Sequence, residues 1–242
     1  MRKFLISVLS CAAAFVVATS CNNDDGILYT TLTFGEMSYG TKFLTDDGDI
    51  FQIVKNSTSN DLLMLSRIIG QFNVLNKTEG GAENEYDTEL VAYAEPVIHD
   101  PVLTSESSDE ILGKDPIELG QGWISGGYFN IRYGITIKKS STTVHDINLE
   151  FDDKRSNDKT LYFVLRHNGH SETLSNTEIE TSKLQYTGGY ASFPIKSLIP
   201  EGTLEAGKNS IKIVMEWEWY TNDGIQLLRE TESHSDNTTY NY

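Results

Sequence analysis

Cysteine is almost absent: Cys11 and Cys21 are the only two in 242 residues, and both lie within the first 21. Everything downstream is free of thiols, which excludes disulfides, cysteine-ligated zinc and thiol catalysis from the body of the chain. A domain built there must be stabilised by its apolar core, and the 222 residues from Cys21 to Tyr242 suffice for one or two domains of ordinary size. Basic residues are scarce too. Nineteen Lys and Arg stand against 35 Asp and Glu, a formal charge of −16. Such a surface repels phosphate backbones, so nucleic acid is excluded as a partner, and it repels anionic lipid headgroups as well. Beyond residue 20 no apolar run approaches the roughly 18 residues that cross a bilayer. No Gly-x-Ser-x-Gly occurs, which removes the nucleophile-elbow route to a serine hydrolase. Internal repeats and a sustained helical period are also missing.

What the chain does have begins at its N-terminus. Arg2 and Lys3 form a positive start, Phe4 to Val17 an apolar run, and Ala18-Thr19-Ser20 a small-residue approach to Cys21. The layout resembles a bacterial lipoprotein signal occupying residues 1–20, although Ala18 stands where such signals often carry Leu. Cleavage before Cys21 is expected to leave it lipidated, and several acyl chains together hold a protein durably on a membrane. Loss of Arg2 and Lys3 then makes the formal charge about −18, with 17 basic residues against 35 acidic ones. The acyl chains become the expected hold on the membrane. Residues 21–26, with Asn22, Asn23, Asp24 and Asp25, read as an acidic tether resembling the export tags of surface lipoproteins in Bacteroidetes. The expected location is the outer membrane, on its cell-surface or periplasmic side.

The body reads as all-β. Phe129, Ile131, Tyr133, Ile135 and Ile137 alternate with Tyr128, Asn130, Arg132, Gly134 and Thr136, the period of a strand with one buried face. Ile147, Leu149 and Phe151 repeat the pattern, as do Leu161, Phe163 and Leu165, and then Ile211, Ile213, Met215, Trp217 and Trp219. Asp152 to Asp158, Asn168-Gly169 and Asn222-Asp223-Gly224 separate these runs with residues that favour reversals. Hairpins and an antiparallel β-sandwich over residues 117–230 are the natural assembly. In the N-terminal half, strands are expected at Ile27 to Phe34, Lys42 to Leu44, Ile50 to Val54, Met64 to Leu75 and Glu89 to Ile98. Five strands suit a small OB-like barrel over residues 27–100. The mixed period of Met64 to Leu75 leaves room for a helical turn. Residues 101–116, polar and without period, read as a linker, and residues 231–242 as a polar tail without fixed structure.

Five segments together resemble one family. Asp46-Asp47-Gly48, Leu112 to Ile117, Trp123-Ile124-Ser125-Gly126-Gly127-Tyr128-Phe129-Asn130-Ile131, Leu165 to Asn168 and Gly189 to Phe193 are similar, in order and spacing, to the NigD-like lipoproteins of Bacteroidetes. The resemblance implies an N-terminal OB-like domain and a C-terminal β-sandwich. It implies an association with bacteriocin genes, through the family's name, and no catalytic residues.

Chemistry-bearing residues are few. His167 and His170 flank Asn168-Gly169 and read as exposed turn residues; a zinc site there needs a third ligand from His145, Asp146 or Glu172. Glu216 and Glu218 share one face of a strand and read as solvated, the hydrolase alternative requiring them to converge on a cleft. Asp46-Asp47-Gly48-Asp49 lacks the pattern of a calcium loop and reads as a turn. Trp217 and Trp219 carry core parity, yet near a strand end they and Tyr220 can form a platform for a sugar ring or a partner chain. Tyr128 and Arg132 lie on the strip facing away from the core and are the other candidates. The expectation is therefore a lipid-anchored, two-domain binding protein without catalysis, metal or cofactor, whose partner is a glycan or an envelope protein. Bacteriocin immunity, a metal-dependent hydrolase and a glycoside hydrolase are the alternatives.

Overall fold

The structure is a computed structural model that describes residues 26–39, 41–170, 172, 174, 183–199, 210–220 and 231–241. Cys21 and the signal expected at residues 1–20 lie outside the described residues. Two compact units meet in sequence between Glu95 and Pro96.

The first unit is a closed barrel of β1 (Tyr29–Ser38), β2 (Lys42–Thr45), β3 (Ile50–Asn56), β4 (Arg67–Lys77) and β5 (Glu85–Ala94), in the order β1-β2-β3-β5-β4. Closure removes free sheet edges, and five strands give an OB-type barrel just wide enough to fill with side chains. Phe43, Phe51 and Phe72 fill it, with ring centroids 4.8 to 6.2 Å apart, and Ile68, Val74 and Leu90 complete the core. The strand expected from Met64 starts at Arg67 and carries no helical turn. Its first four residues are all buried, so both faces are covered and the alternation that marks a half-buried strand is lost until Gln71. Asp46 does more than turn: both its carboxylate oxygens accept from the Arg67 guanidinium, at 2.8 and 2.7 Å.

The second unit is the sandwich. Its elements are β6 (Val97–Ile98), β7 (Val102–Leu103), α1 (Asp109–Leu112), β8 (Glu118–Ser125), β9 (Tyr128–Lys138), β10 (Asp146–Phe151), β11 (Thr160–Asn168), β12 (Leu184–Pro194), β13 (Ser210–Tyr220) and β14 (Thr231–Asn241). One sheet runs β14-β13-β11-β10-β7, the other β6-β12-β9-β8. The alternating residues read from sequence face one another across the core: Phe129, Ile131 and Phe193 from one sheet, Leu149, Phe163 and Ile213 from the other. The long pairs β9/β12, β10/β11 and β13/β14 are antiparallel, whereas β11 and β13 run parallel. Asn168-Gly169 accordingly begins a crossing to the opposite sheet, not a hairpin.

Two further expectations differ from what is found. Residues 101–116 are woven into the sandwich and are not a linker. Val102 and Leu103 pair with β10, and Ser108 caps α1 by accepting from the Ile111 amide. Elements of two and four residues are too short to show a period, and their partners lie some 50 residues downstream. Residues 231–241 form a full strand along β13 and are not a structureless tail. Strand pairing is carried by backbone groups, so a polar sequence can make it without an apolar pattern. Among the described residues no helix is long and apolar enough to cross a membrane.

Candidate functional site

The outer face of the four-stranded sheet is built by strand parity. On β9, Phe129, Ile131 and Ile135 point into the core, which sets Tyr128, Asn130, Arg132, Gly134 and Thr136 on the opposite side of the sheet, where Arg132 is exposed and Asn130 and Thr136 are buried. On β12 the register sets Tyr190 opposite Arg132, Gly188 opposite Gly134 and Tyr186 opposite Thr136; on β8, Glu118 stands opposite Gly134. Gly134 decides the local shape. A Cβ there would lie 1.8 Å from the Tyr186 hydroxyl and 2.3 Å from its ring, so only glycine lets Tyr186 lie down across β9. The ring reaches Glu118 on the edge strand, whose carboxylate accepts from the hydroxyl. Burial, and then the Glu118 carboxylate, push the Tyr186 ionisation above the usual phenol range. The residue is still 51% exposed. Trp219 meets its ring edge-on at 6.4 Å.

Arg132 stands on the same face, two residues from Gly134, with its guanidinium lying over Gly120 of β8. It is exposed, and among the described residues no carboxylate pairs with it. The other three described arginines are clamped: Arg67 by Asp46, Arg155 by Asp152 and Glu216, Arg166 by Glu150. Of the residues predicted from sequence, Trp219 meets Tyr186 directly, and Arg132 lies on the same face near enough for its charge to act on the Tyr186 hydroxyl. Tyr128 lies four residues along β9 from Arg132, about 13 Å away. Between them Asn130, expected to be outward and polar, is fully buried and bonded to Ser125 and Ser192. Tyr220 ends β13, and its side chain lies outside what the structure describes. Tyr186 and Glu118 were not anticipated; the signal was Gly134, which interrupts an outward row of side chains.

A second feature sits where β11 and β13 diverge. The parallel pairing ends at Val164 and Glu216, and residues 113–117 enter the fork as a strap. The Asp115 amide donates to the His167 carbonyl at 3.0 Å and the Ile117 amide to the Glu218 carbonyl at 2.9 Å. A cleft of about 250 Å³ opens there, lined by Lys114, Asp115, Arg166, His167, Trp217 and Glu218 among others. Trp217 packs against the sandwich core, in keeping with its parity. Glu216 and Glu218 do share a face, but Glu216 is held by the fork of Arg155 at 2.8 and 2.9 Å, and that guanidinium keeps its carboxyl below the usual range.

The histidines divide otherwise than expected. His167 is 3% exposed on the core side of β11, a correction to its reading as a turn residue, because it keeps the parity of Leu161, Phe163 and Leu165. Its Nδ1 donates to the Pro116 carbonyl at 3.0 Å, so its Nε2 accepts from His145 Nδ1 at 2.8 Å. His145 Nε2 is then buried without a hydrogen-bond partner among the described residues, 3.9 Å from the Glu172 carboxylate. Burial lowers the proton affinity of His167. His170 points away to Asp146, at 2.7 Å. Among the described residues no three His, Cys, Asp or Glu groups come together as metal ligands.

A closed OB-type barrel followed by a mixed β-sandwich, carrying an aromatic and cationic outer face, defines a two-domain all-β protein. The chain belongs to the NigD-like family: the model of the NigD-like C-terminal beta sandwich domain matches residues 100–228. Solved structures share the fold over most of the chain. A NigD-like immunity protein from Bacteroides caccae is 14% identical with a TM-score of 0.61, over 87% of this chain and 96% of that one. A candidate toxin-related protein from Parabacteroides distasonis is 19% identical (TM-score 0.58, 88% and 93%), and a candidate lipoprotein from Bacteroides fragilis 13% identical (0.58, 86% and 96%). At such identities the likeness speaks for the fold. Curated proteins gave no match.

Proposed function

We propose that this chain is a lipid-anchored envelope protein, held at the outer membrane through Cys21, that binds a glycan or an envelope protein and catalyses nothing. The observation that carries the reading is the outer sheet face, where Arg132, without a carboxylate partner among the described residues, stands on the same face as the half-exposed ring of Tyr186. A rigid aromatic surface with an exposed arginine is suited to holding a ligand, since aromatic and arginine side chains dominate binding energy at such faces. Against the hydrolase alternative, a glycosidase needs a carboxylic acid with a raised pKa, and Arg155 holds Glu216 the other way. The lipoprotein-type fold neighbour supports the anchor, and the lipoprotein-like approach to Cys21 supports it more directly.

A glycan array and a pull-down from envelope extract test the binding role. Capture is expected from the wild-type chain and is lost from a chain carrying Arg132→Gln and Tyr186→Ala. Equal capture by both chains removes this face from the proposal. Immunity to a bacteriocin is the second reading, favoured by the fold shared with the Bacteroides caccae immunity protein. It expects that deleting the gene sensitises the producing strain to its own toxin, and unchanged sensitivity ends it.

A further inference from the structure

We infer that the Arg132 face binds a sugar bearing a single carboxylate, a uronic-acid residue, with the pyranose ring on Tyr186 and the carboxylate on Arg132; this rests on the binding role proposed above. The two halves of the site follow from separate observations. Tyr186 lies across Gly134, pinned by Glu118 at its hydroxyl and flanked edge-on by Trp219, so it is fixed before a ligand arrives. A ring pinned at its hydroxyl and half exposed offers a preorganised stacking surface for the apolar face of a pyranose, and preorganisation lowers the entropy cost of binding. Tyr190, opposite Arg132 on β12, makes an edge contact with Trp123 at 6.4 Å and extends the aromatic surface along the sheet.

Arg132 supplies the charge selectivity. In a chain with 35 acidic residues the other described arginines are each taken by a carboxylate, and Arg132 alone of them has its donors unspent. Its planar fork matches a carboxylate in two parallel hydrogen bonds. Glu118 beside the ring and the formal charge of −16 oppose a long polyanion, which restricts the anionic group to one near Arg132. A glucuronate at the end of an otherwise neutral oligosaccharide meets both conditions. A neutral glucose in the same place meets only the first.

The mature chain in detergent, titrated by calorimetry with a glucuronate-terminated oligosaccharide and its glucose-terminated counterpart, separates the outcomes. The uronate is expected to bind about tenfold more tightly, the usual scale of one well-made contact. Arg132→Gln is expected to bring the two affinities together, Arg132→Lys to keep part of the difference, and Tyr186→Ala to weaken both ligands alike. Unchanged melting temperatures show that the variants fold. Equal affinity of the wild type for the two sugars, or a preference that survives Arg132→Gln, overturns the inference while leaving sugar binding intact. Failure of both sugars to bind also overturns it. The broader binding role is then judged separately by whether the wild-type chain captures an envelope protein that the Arg132→Gln, Tyr186→Ala chain does not.

Discussion

Asp46 shows how much a single residue in a turn can decide. Its pairing with Arg67 leaves the two side chains 6% and 1% exposed, and it ties the β2–β3 turn to the start of β4. Removing one partner of such a pair strands the other charge in a poor solvent, at a cost of about 3–5 kcal/mol, whereas replacing both with apolar groups is often neutral. Asp46→Ala is therefore expected to lower the urea midpoint of the barrel sharply, and Asp46→Leu with Arg67→Met to recover most of the loss. His167 makes a different prediction at the same scale. Burial resists its protonation in the folded chain, while an unfolded histidine takes up a proton near pH 6.5. Below that pH the unfolded state binds more protons, so stability falls as pH drops through about 6.5 and levels off below the folded value. Urea midpoints at pH 7.5 and 5.5 should differ in that direction, and His167→Gln should reduce the difference.

Among the elements, the strap at residues 113–117 has the largest consequence for its length. It supplies backbone donors to two strands that have parted, and Gly113 permits its path. Gly113 has φ +75°, and a Cβ there would lie 2.2 Å from the His167 carbonyl oxygen. Gly113→Ala is expected to destabilise the sandwich by about 1–3 kcal/mol. Faster hydrogen exchange at the Asp115 and Ile117 amides would localise the damage to the fork, and unchanged exchange there would count against the strap's role. The strap, β7 and β14 were hidden in the sequence for one reason. Their stabilisation is backbone pairing with distant strands, and pairing leaves no apolar period to read. By contrast β9, β10, β11 and β13 each bury one face, so their alternation announced both strand and inward direction. The candidate site was half readable on the same grounds. Arg132 followed from the parity of β9, whereas Tyr186 depends on Glu118, 68 residues away, and on the space above Gly134.

At the scale of the whole molecule, position and fold are governed by different residues. Each unit closes its own apolar core, around Phe43, Phe51 and Phe72 in one and Phe129, Phe163 and Phe193 in the other. With the expected cleavage before Cys21 the chain's formal charge is about −18, which anionic headgroups repel, so electrostatics gives it no hold on a membrane. On the reading proposed above acyl chains supply that hold, and one chain alone binds only reversibly, so the expected anchor is a multiply acylated Cys21. Cys21→Ser should then abolish labelling by radioactive palmitate and move the protein from the membrane pellet to the soluble fraction. Its melting temperature is expected to be unchanged. A Cys21→Ser chain that remains in the pellet after a high-salt wash would mean that an apolar surface, not the lipid, sets its location. A chain that is released but misfolded would mean that the first residues after the signal take part in the barrel.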